Sequence, residues 1–356
     1  MWEKFKWLVV TVLKFKRTAY PRTKWGVWLC LASLSSGMFS IGALKIKFES
    51  TFIIDTLDLV GKEPSLYAMY FSVALGLIGT MLIFSEWNSK LRHTAKVFIS
   101  SMPGVSIDFP DEVLDPTEKA FCREAVTLGV SQTNPENIAQ QIKRYNAELE
   151  VDIFKRHILH EQGQRVYIGG LARTPFLVSY GAQLRNVSAE IIYFDKFHHN
   201  GVYSLLSDED SQVSILNTPL IENVNAAGDI GLAIGFTTPI NCEQLPKELQ
   251  TSTTLLSPTI KNHRNLIKNQ DNLQQISAQI GKFIDTLSAI PNCKRVHLFL
   301  SVQSSLAIEI GRRYQEGTQK NWIIHNFDPS INSYNWSVEL SKSGISKYIP
   351  ESDLKD

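Results

Sequence analysis

The 356-residue chain has only four cysteines, Cys30, Cys122, Cys242 and Cys293, and no two of them form a CxxC pair. That excludes the usual spacing of a structural zinc site or a dithiol redox pair. The local signatures of hydrolysis and of phosphate cradling are missing too: HExxH, GxSxG, GxGxxG and the P-loop do not occur. His157 and His160 sit three apart and read as a solvated helix face. His198-His199 stands near Asp195, but adjacent side chains of one loop seldom share a metal. No metal, cofactor or catalytic residue is therefore expected, and no enzyme.

A basic surplus is lacking outside one short segment. Residues 1–24 carry seven Lys and Arg against Glu3, a charge of +6; taking that from the whole-chain +1 leaves −5 for residues 25–356. A region of that sign is a poor match for duplex DNA, which wants a basic face. It suits a small anionic ligand held by a few well-placed groups.

Two stretches lack charge altogether. Trp25–Leu44 has no charged residue in 20 positions and Ser65–Ser85 none in 21. Each matches the roughly 20 residues a helix needs to span a bilayer. The segment before the first is too long, and a second run follows too soon, for a cleaved signal peptide. The loop 45–64 has three basic and four acidic residues, whereas Lys90, Arg92 and Lys96 follow the second run. The positive-inside rule then puts the N-terminus and the long C-terminal region in the cytoplasm, where thiols stay reduced. The N-terminal stretch Trp2–Leu13 reads as an interfacial amphipathic helix. Ser33 and Gly37, and Ser72, Gly76 and Thr80, recur at intervals of four. Such small residues either join spans of different copies or pack the two spans of one copy.

Residues 88–104 end at a Pro-Gly turn, and 105–165 are expected to be mostly helical, with a start at Asn134-Pro135 and a stripe of Ile138, Ile142, Tyr145, Leu149 and Ile153. From 166 the pattern becomes α/β. Strands are expected over 165–168, 189–194, 229–238, 295–300 and 322–327, and helices over 175–185, 269–289 and 304–313. One layout occurs twice: an apolar burst, a small or hydroxyl-rich turn, a helix with a glycine, then an apolar burst ending in Phe-Asp. Val166 and Val296 are 130 apart, as are Thr174 and Ser304, and Gly181 and Gly311. Two doubly wound half-domains related by a pseudo-twofold are expected.

In an open parallel sheet, ligands bind at the carboxyl ends of strands beside helix N-termini. The candidate ligand-binding residues are therefore Gly169, Gly170, Leu171, Arg173 and Thr174 in the first turn and Ser301, Gln303, Ser304 and Ser305 in the second. Phe194, Asp195 and Tyr203 follow the next strand of the first copy; Phe327, Asp328, Tyr334 and Trp336 follow that of the second. Aromatic rings there suit stacking on bases, and Arg173 suits a phosphate. Ordinary alternatives stand beside these: Thr174 and Ser304 as helix N-caps, Tyr334 and Trp336 as core.

The stretches YIGGLARTPFLVSYGAQLR with IIYFDKF, and HLFLSVQSSLAIEIGRRY with IIHNFDPSINSYNWSV, resemble the SAVED domain of bacterial anti-phage defence, over about residues 150–345. The second copy carries the resemblance best, at Ser301, Ser304, Gly311 and Tyr334; Val302 stands where the family often has Pro. The resemblance implies two fused CARF-like Rossmann half-domains that bind a cyclic di- or trinucleotide made by a CD-NTase. With two spans in front, the chain is similar to the transmembrane SAVED effectors of CBASS. That implies self-association on ligand binding and disruption of the lipid bilayer, here the bacterial inner membrane. A membrane-anchored sensor that relays to a partner, and a ring nuclease, are the alternatives. The resulting division is a basic segment 1–24, two transmembrane helices with a short external loop in 25–87, a helical connector 88–150, the SAVED domain 151–345 and a polar tail 346–356.

Overall fold

A computed structural model describes residues 21–38, 66–90, 94–102, 108–114, 124–128, 137–152, 165–187, 189–197, 201–206 and 212–350. The N-terminal segment up to residue 20, the external loop, Cys122, Asn134-Pro135, Ile153 and the histidines 157, 160, 198 and 199 lie outside the described residues. The chain forms two compact units, residues 1–91 and 92–356.

The first unit contains helices α1 (Pro21–Met38) and α2 (Leu66–Lys90). Proline opens α1, where its missing N–H costs nothing. The two helices meet along their small residues. A Cβ on Gly26 would lie 2.6 Å from the Gly79 carbonyl oxygen, and one on Gly79 would lie 2.7 Å from that of Gly26. Ser33 Oγ donates to the Ser72 carbonyl and Ser72 Oγ to the Ser33 carbonyl, both at 2.7 Å. Of the two uses open to these residues, the structure realises packing within one chain. The large side chains point away: Trp25, Trp28, Tyr70, Phe71, Met81 and Trp87 are exposed. Among the described residues, Tyr70–Trp87 is the one helical stretch long and apolar enough to cross a membrane by length and composition. Of the first expected span, residues 39–44 lie outside the described residues.

The second unit holds two sheets. The first, in the order β2-β1-β3-β4-β5, uses β1 (Thr94–Ser100), β2 (Glu124–Leu128), β3 (Arg165–Leu171), β4 (Glu190–Lys196) and β5 (Tyr203–Leu205). The second, in the order β11-β10-β9-β8-β6-β7, uses β6 (Asp229–Gly235), β7 (Thr253–Leu256), β8 (Arg295–Ser301), β9 (Asn321–Asp328), β10 (Ser333–Ser341) and β11 (Gly344–Lys347). In each sheet the first four strands in chain order run parallel and the fifth is antiparallel; in the second sheet β11 then pairs antiparallel with β10. The windings match over five strands, β11 being an addition to the second sheet, so the repeat is larger than the stretch visible in sequence. Arg165 and Arg295, the first residues of β3 and β8, keep the 130-residue interval.

Two expectations need correction. The segment 88–150 is not a helical connector: it supplies β1 and β2 to the first sheet, and its described helical residues are the end of α2, a short 3-10 turn at Asp111–Val113 and α3 (Ile138–Glu150). Residues 95–100 of β1 are buried in succession, as expected of a central strand covered on both faces, and such a strand shows no alternation. The first two residues of the expected polar tail, Ser346 and Lys347, are exposed but belong to β11, which pairs with β10. The stripe on α3 does pack inward, with Tyr145 1% exposed. The long helix α5 (Gln270–Ser288) starts at Asn269, whose side chain accepts the Asp271 and Asn272 N–H groups. Ile276, Ile280, Ile284 and Leu287 of α5 are buried.

Helices α4 (Thr174–Gln183) and α6 (Ser304–Arg312) occupy equivalent places in the two halves and cross at Gly181 and Gly311. Each leans on the other half's sheet, α4 on β9 and β10, α6 on β3 and β4. One continuous apolar core runs through both halves.

Candidate functional site

The carboxyl ends of the parallel strands lead into two turns, β3–α4 and β8–α6. The first turn is shorter than the sequence suggests. Gly169, Gly170 and Leu171 belong to β3, leaving Ala172 and Arg173 before the helix. Both glycines are buried, and their open sides are already filled. A Cβ on Gly169 would meet the Phe194 ring at 2.5 Å, and one on Gly170 the Ile99 carbonyl oxygen at 2.3 Å. They serve strand packing and not close approach of a ligand.

Thr174 and Ser304 are the first residues of their helices. The N-cap positions fall to Arg173 and Gln303, neither of which caps through its side chain. Arg173 donates its backbone N–H to Ser101 Oγ at 2.8 Å. Its guanidinium lies over the Trp336 ring, 5.7 Å from the centroid, and Trp336 in turn packs on Phe176 of α4. The contact joins the first half's turn to β10 of the second half. Trp336 is half-buried, and its indole N–H has no partner. Asp328 at the end of β9 accepts the Ser330 N–H at 2.9 Å, the Ser330 hydroxyl at 2.7 Å and an Asn335 amide N–H at 2.8 Å. The two Ser330 bonds, with help from the nearby Arg173 charge, lower its pKa.

The second turn is different. Asp195, at the end of β4, is 2% exposed. Its Oδ1 accepts the Ser305 N–H at 3.0 Å, and its Oδ2 accepts the Ser305 hydroxyl and the Gln303 amide N–H, the latter at 2.8 Å. Gln303 also exchanges bonds with Ile267, accepting its N–H and donating to its carbonyl, both at 2.9 Å. Burial raises the Asp195 carboxyl to about 6, against the hydrogen bonds from Ser305 and Gln303 that hold it down. Strand alternation explains the aim. Tyr193 and Asp195 face α6, where Tyr193 donates to buried Glu309, itself bridged to Arg312 and Arg313. Phe194, between them, points the other way.

The aromatic candidates are mostly structural. Phe194 is fully buried among Phe98, Phe109 and Tyr167, and Tyr203 closes that cluster edge-on. Tyr334 packs edge-on against Phe299 and Phe327, and burial raises its pKa. Tyr334 and Trp336 lie in β10 and not in a loop. Ser301 ends β8; its carbonyl accepts the Phe236 and Thr237 N–H groups, and its hydroxyl pairs with Thr238 at 2.9 Å.

The structure thus brings Arg173, Asp328 and Trp336 together at one turn. Asp195, Gln303 and Ser305 meet at the other, satisfied by one another and unavailable to a ligand as placed. Ser101, Ser330, Asn335 and Ile267 were missed; only the Asp-Pro-Ser turn after β9 carried a local signal. Among the described residues no cluster of three or more His, Cys, Asp or Glu side chains is placed to hold a metal.

The profile of the SAVED domain, described as the SMODS-associated and fused to various effectors sensor domain, matches residues 130–340, more than half of the chain. No curated protein matches. Among solved structures, the chain is similar to the Cap4 SAVED/CARF-domain containing receptor of Acinetobacter baumannii with the cyclic trinucleotide 2'3'3'-cAAA. Identity is 15% and the TM-score 0.46, over 77% of this chain and 60% of that one. It is also similar to the Cap4 receptor of Moraxella osloensis, at 13% identity and TM-score 0.40, over 79% of this chain and 59% of that one. The chain therefore spans about three fifths of those receptors.

Proposed function

Because the chain belongs to the SAVED family of sensor domains, we propose that it is a membrane-anchored receptor for a cyclic oligonucleotide signal in anti-phage defence. In this reading the unit from residue 92 onward binds a cyclic di- or trinucleotide on the cytoplasmic side of the inner membrane. Copies then associate, and their α1–α2 hairpins disrupt the bilayer. The protein releases its ligand intact and uses no cofactor. One observation carries the reading. Arg173 stands at the start of α4, at the carboxyl end of the sheet, with its charge over the Trp336 ring of the other half. A cation beside an aromatic face suits a phosphate linked to a base.

The test is a binding screen of cyclic di- and trinucleotides against the full-length protein in detergent. At least one should bind, and Arg173→Ala should weaken it about tenfold or more, the scale of one lost charge-assisted hydrogen bond. Circular dichroism should not change. Absence of binding across the panel, or full affinity in the variant, overturns the reading.

The seam between α1 and α2 favours a second reading, an anchored sensor that relays binding to a partner. The small residues that would join spans of different copies are already used between Ser33 and Ser72 and between Gly26 and Gly79. Dye-filled liposomes separate the two. Leakage that depends on the bound nucleotide supports the effector, and none under a nucleotide that binds supports the relay.

A further inference from the structure

The two copies of the repeat carry the same dipeptide near the end of their fourth strands, Phe194-Asp195 in β4 and Phe327-Asp328 in β9, yet the two aspartates do opposite things. Asp328 is turned onto Ser330 of the loop that follows it and Asn335 of β10, within its own half. Asp195 crosses to the other half and lies on the first turn of α6, where it takes the Ser305 N–H, the Ser305 hydroxyl and the Gln303 amide. Those are the donors a phosphate would use at a helix N-terminus. We propose that Asp195 is a resident anion: its carboxylate fills the β8–α6 turn, closes it to a ligand phosphate, and leaves the β3–α4 turn as the single anion anchor of the pair.

The inference rests on the reading that these turns border the ligand site, and it makes recognition asymmetric although the fold is pseudo-symmetric. Three features hold the carboxylate in place. Gln303 cannot swing away without breaking its paired bonds to the Ile267 backbone. Tyr193, two residues earlier on β4, fixes the same strand to Glu309 of α6. The carboxylate is itself buried, so a ligand phosphate would have to displace an anion already bonded three ways. Asp195 is a positioning residue here, and its charge repels a second phosphate.

The sign of one substitution decides the matter. Asp195→Asn keeps the side-chain size and removes the charge, losing the acceptor that faces Gln303. The cyclic nucleotides 2'3'3'-cAAA and 3'3'3'-cAAA, with a panel of cyclic dinucleotides, are titrated into full-length wild type, Asp195→Asn and Arg173→Ala. A resident anion predicts that Asp195→Asn binds as well as wild type or up to about fivefold tighter, the scale of one like charge removed at short range. An aspartate that contacts the ligand predicts loss, and a drop of more than threefold overturns the proposal.

If wild type binds none of these nucleotides, the sensor reading fails, and amide exchange judges Asp195 by itself. The peptide covering residues 303–307 should exchange faster in Asp195→Ala than in wild type, while the β8 peptide stays protected. Unchanged exchange at 303–307 overturns the proposal. Should Asp195→Ala fail to fold, the same comparison is made with Asp195→Asn, whose amide nitrogen opposes the Gln303 donor and weakens the same cap.

Discussion

A Cβ on Gly311 would lie 2.0 Å from the Val178 carbonyl oxygen, and one on Gly181 would lie 2.1 Å from that of Ile308. Both obstacles are backbone, so neither can swing aside as a flexible side chain would. Each glycine exists because the other half's helix passes there, which is why the two recur at the same place in the repeat. Gly281, inside α5, has ordinary room: the nearest atom to an added Cβ is Arg313 Cβ at 3.5 Å. The same change should therefore have opposite signs. Gly311→Ala should destabilise by about 2–3 kcal/mol through overpacking. Gly281→Ala should stabilise by about 0.5–1 kcal/mol by relieving helix backbone entropy. Chemical denaturation of the two variants beside wild type checks the pair, and a loss in both would mean that helix propensity plays no part at Gly281.

At the scale of elements, three neighbouring strands share a buried polar chain. Arg295 of β8 donates Nε–H to Asp229 of β6 at 2.7 Å, and His297 of β8 lies 2.9 Å, nitrogen to nitrogen, from His325 of β9. Tyr348 covers His297 edge-on, and Phe299 stacks on His325. Burial, and then His297, hold His325 well below the ordinary imidazole value. Asp229 is pushed up by burial, but His297 and Arg295 outweigh that and bring it down to about 2. Both shifts make acid destabilising. The unfolded chain takes a proton at His325 near pH 6.5 that the folded chain refuses, so this stability is full above about 6.5 and falls below it. Asp229 adds a loss only as pH drops from about 4 toward 2. Asp195 opposes them: its raised carboxyl is protonated more readily when folded, and its contribution is lost as pH rises through about 6. Wild type should therefore show a Tm that falls between pH 7.5 and 5. His325→Gln removes the imidazole and leaves the Asp195 slope, so its Tm should hold or rise over the same range. Thermal melts at several pH values read this directly, and an undiminished fall in the variant would assign the slope elsewhere.

For the whole molecule, the repeat was legible where it rests on short-range chemistry. The apolar bursts at Val166 and Val296 and the crossing glycines were visible because one chain segment carries each signal. What escaped was what long-range pairing decides. β1 shows only a short run, Ala95–Ile99, whose meaning depends on β2 and β3 lying beside it. Asp195 looked like a ligand-facing residue because nothing local says that Ser305, 110 positions away, will bond it. These same long-range contacts set how the second unit unfolds. Each half's helix lies on the other's sheet, Tyr193 and Asp195 cross to α6, and Tyr145 of α3 bonds the Ser179 carbonyl of α4. Neither half can open without stripping cover from its partner, because one large buried apolar cluster includes residues of both. The two halves should then behave as one cooperative unit. Hydrogen exchange of the full-length protein in detergent, followed through rising guanidinium, should show peptides from β3 and from β8 losing protection at the same denaturant concentration. If β3 lets go first while β8 remains protected, the halves are separate folding units and the crossing at Gly181 and Gly311 does not couple them.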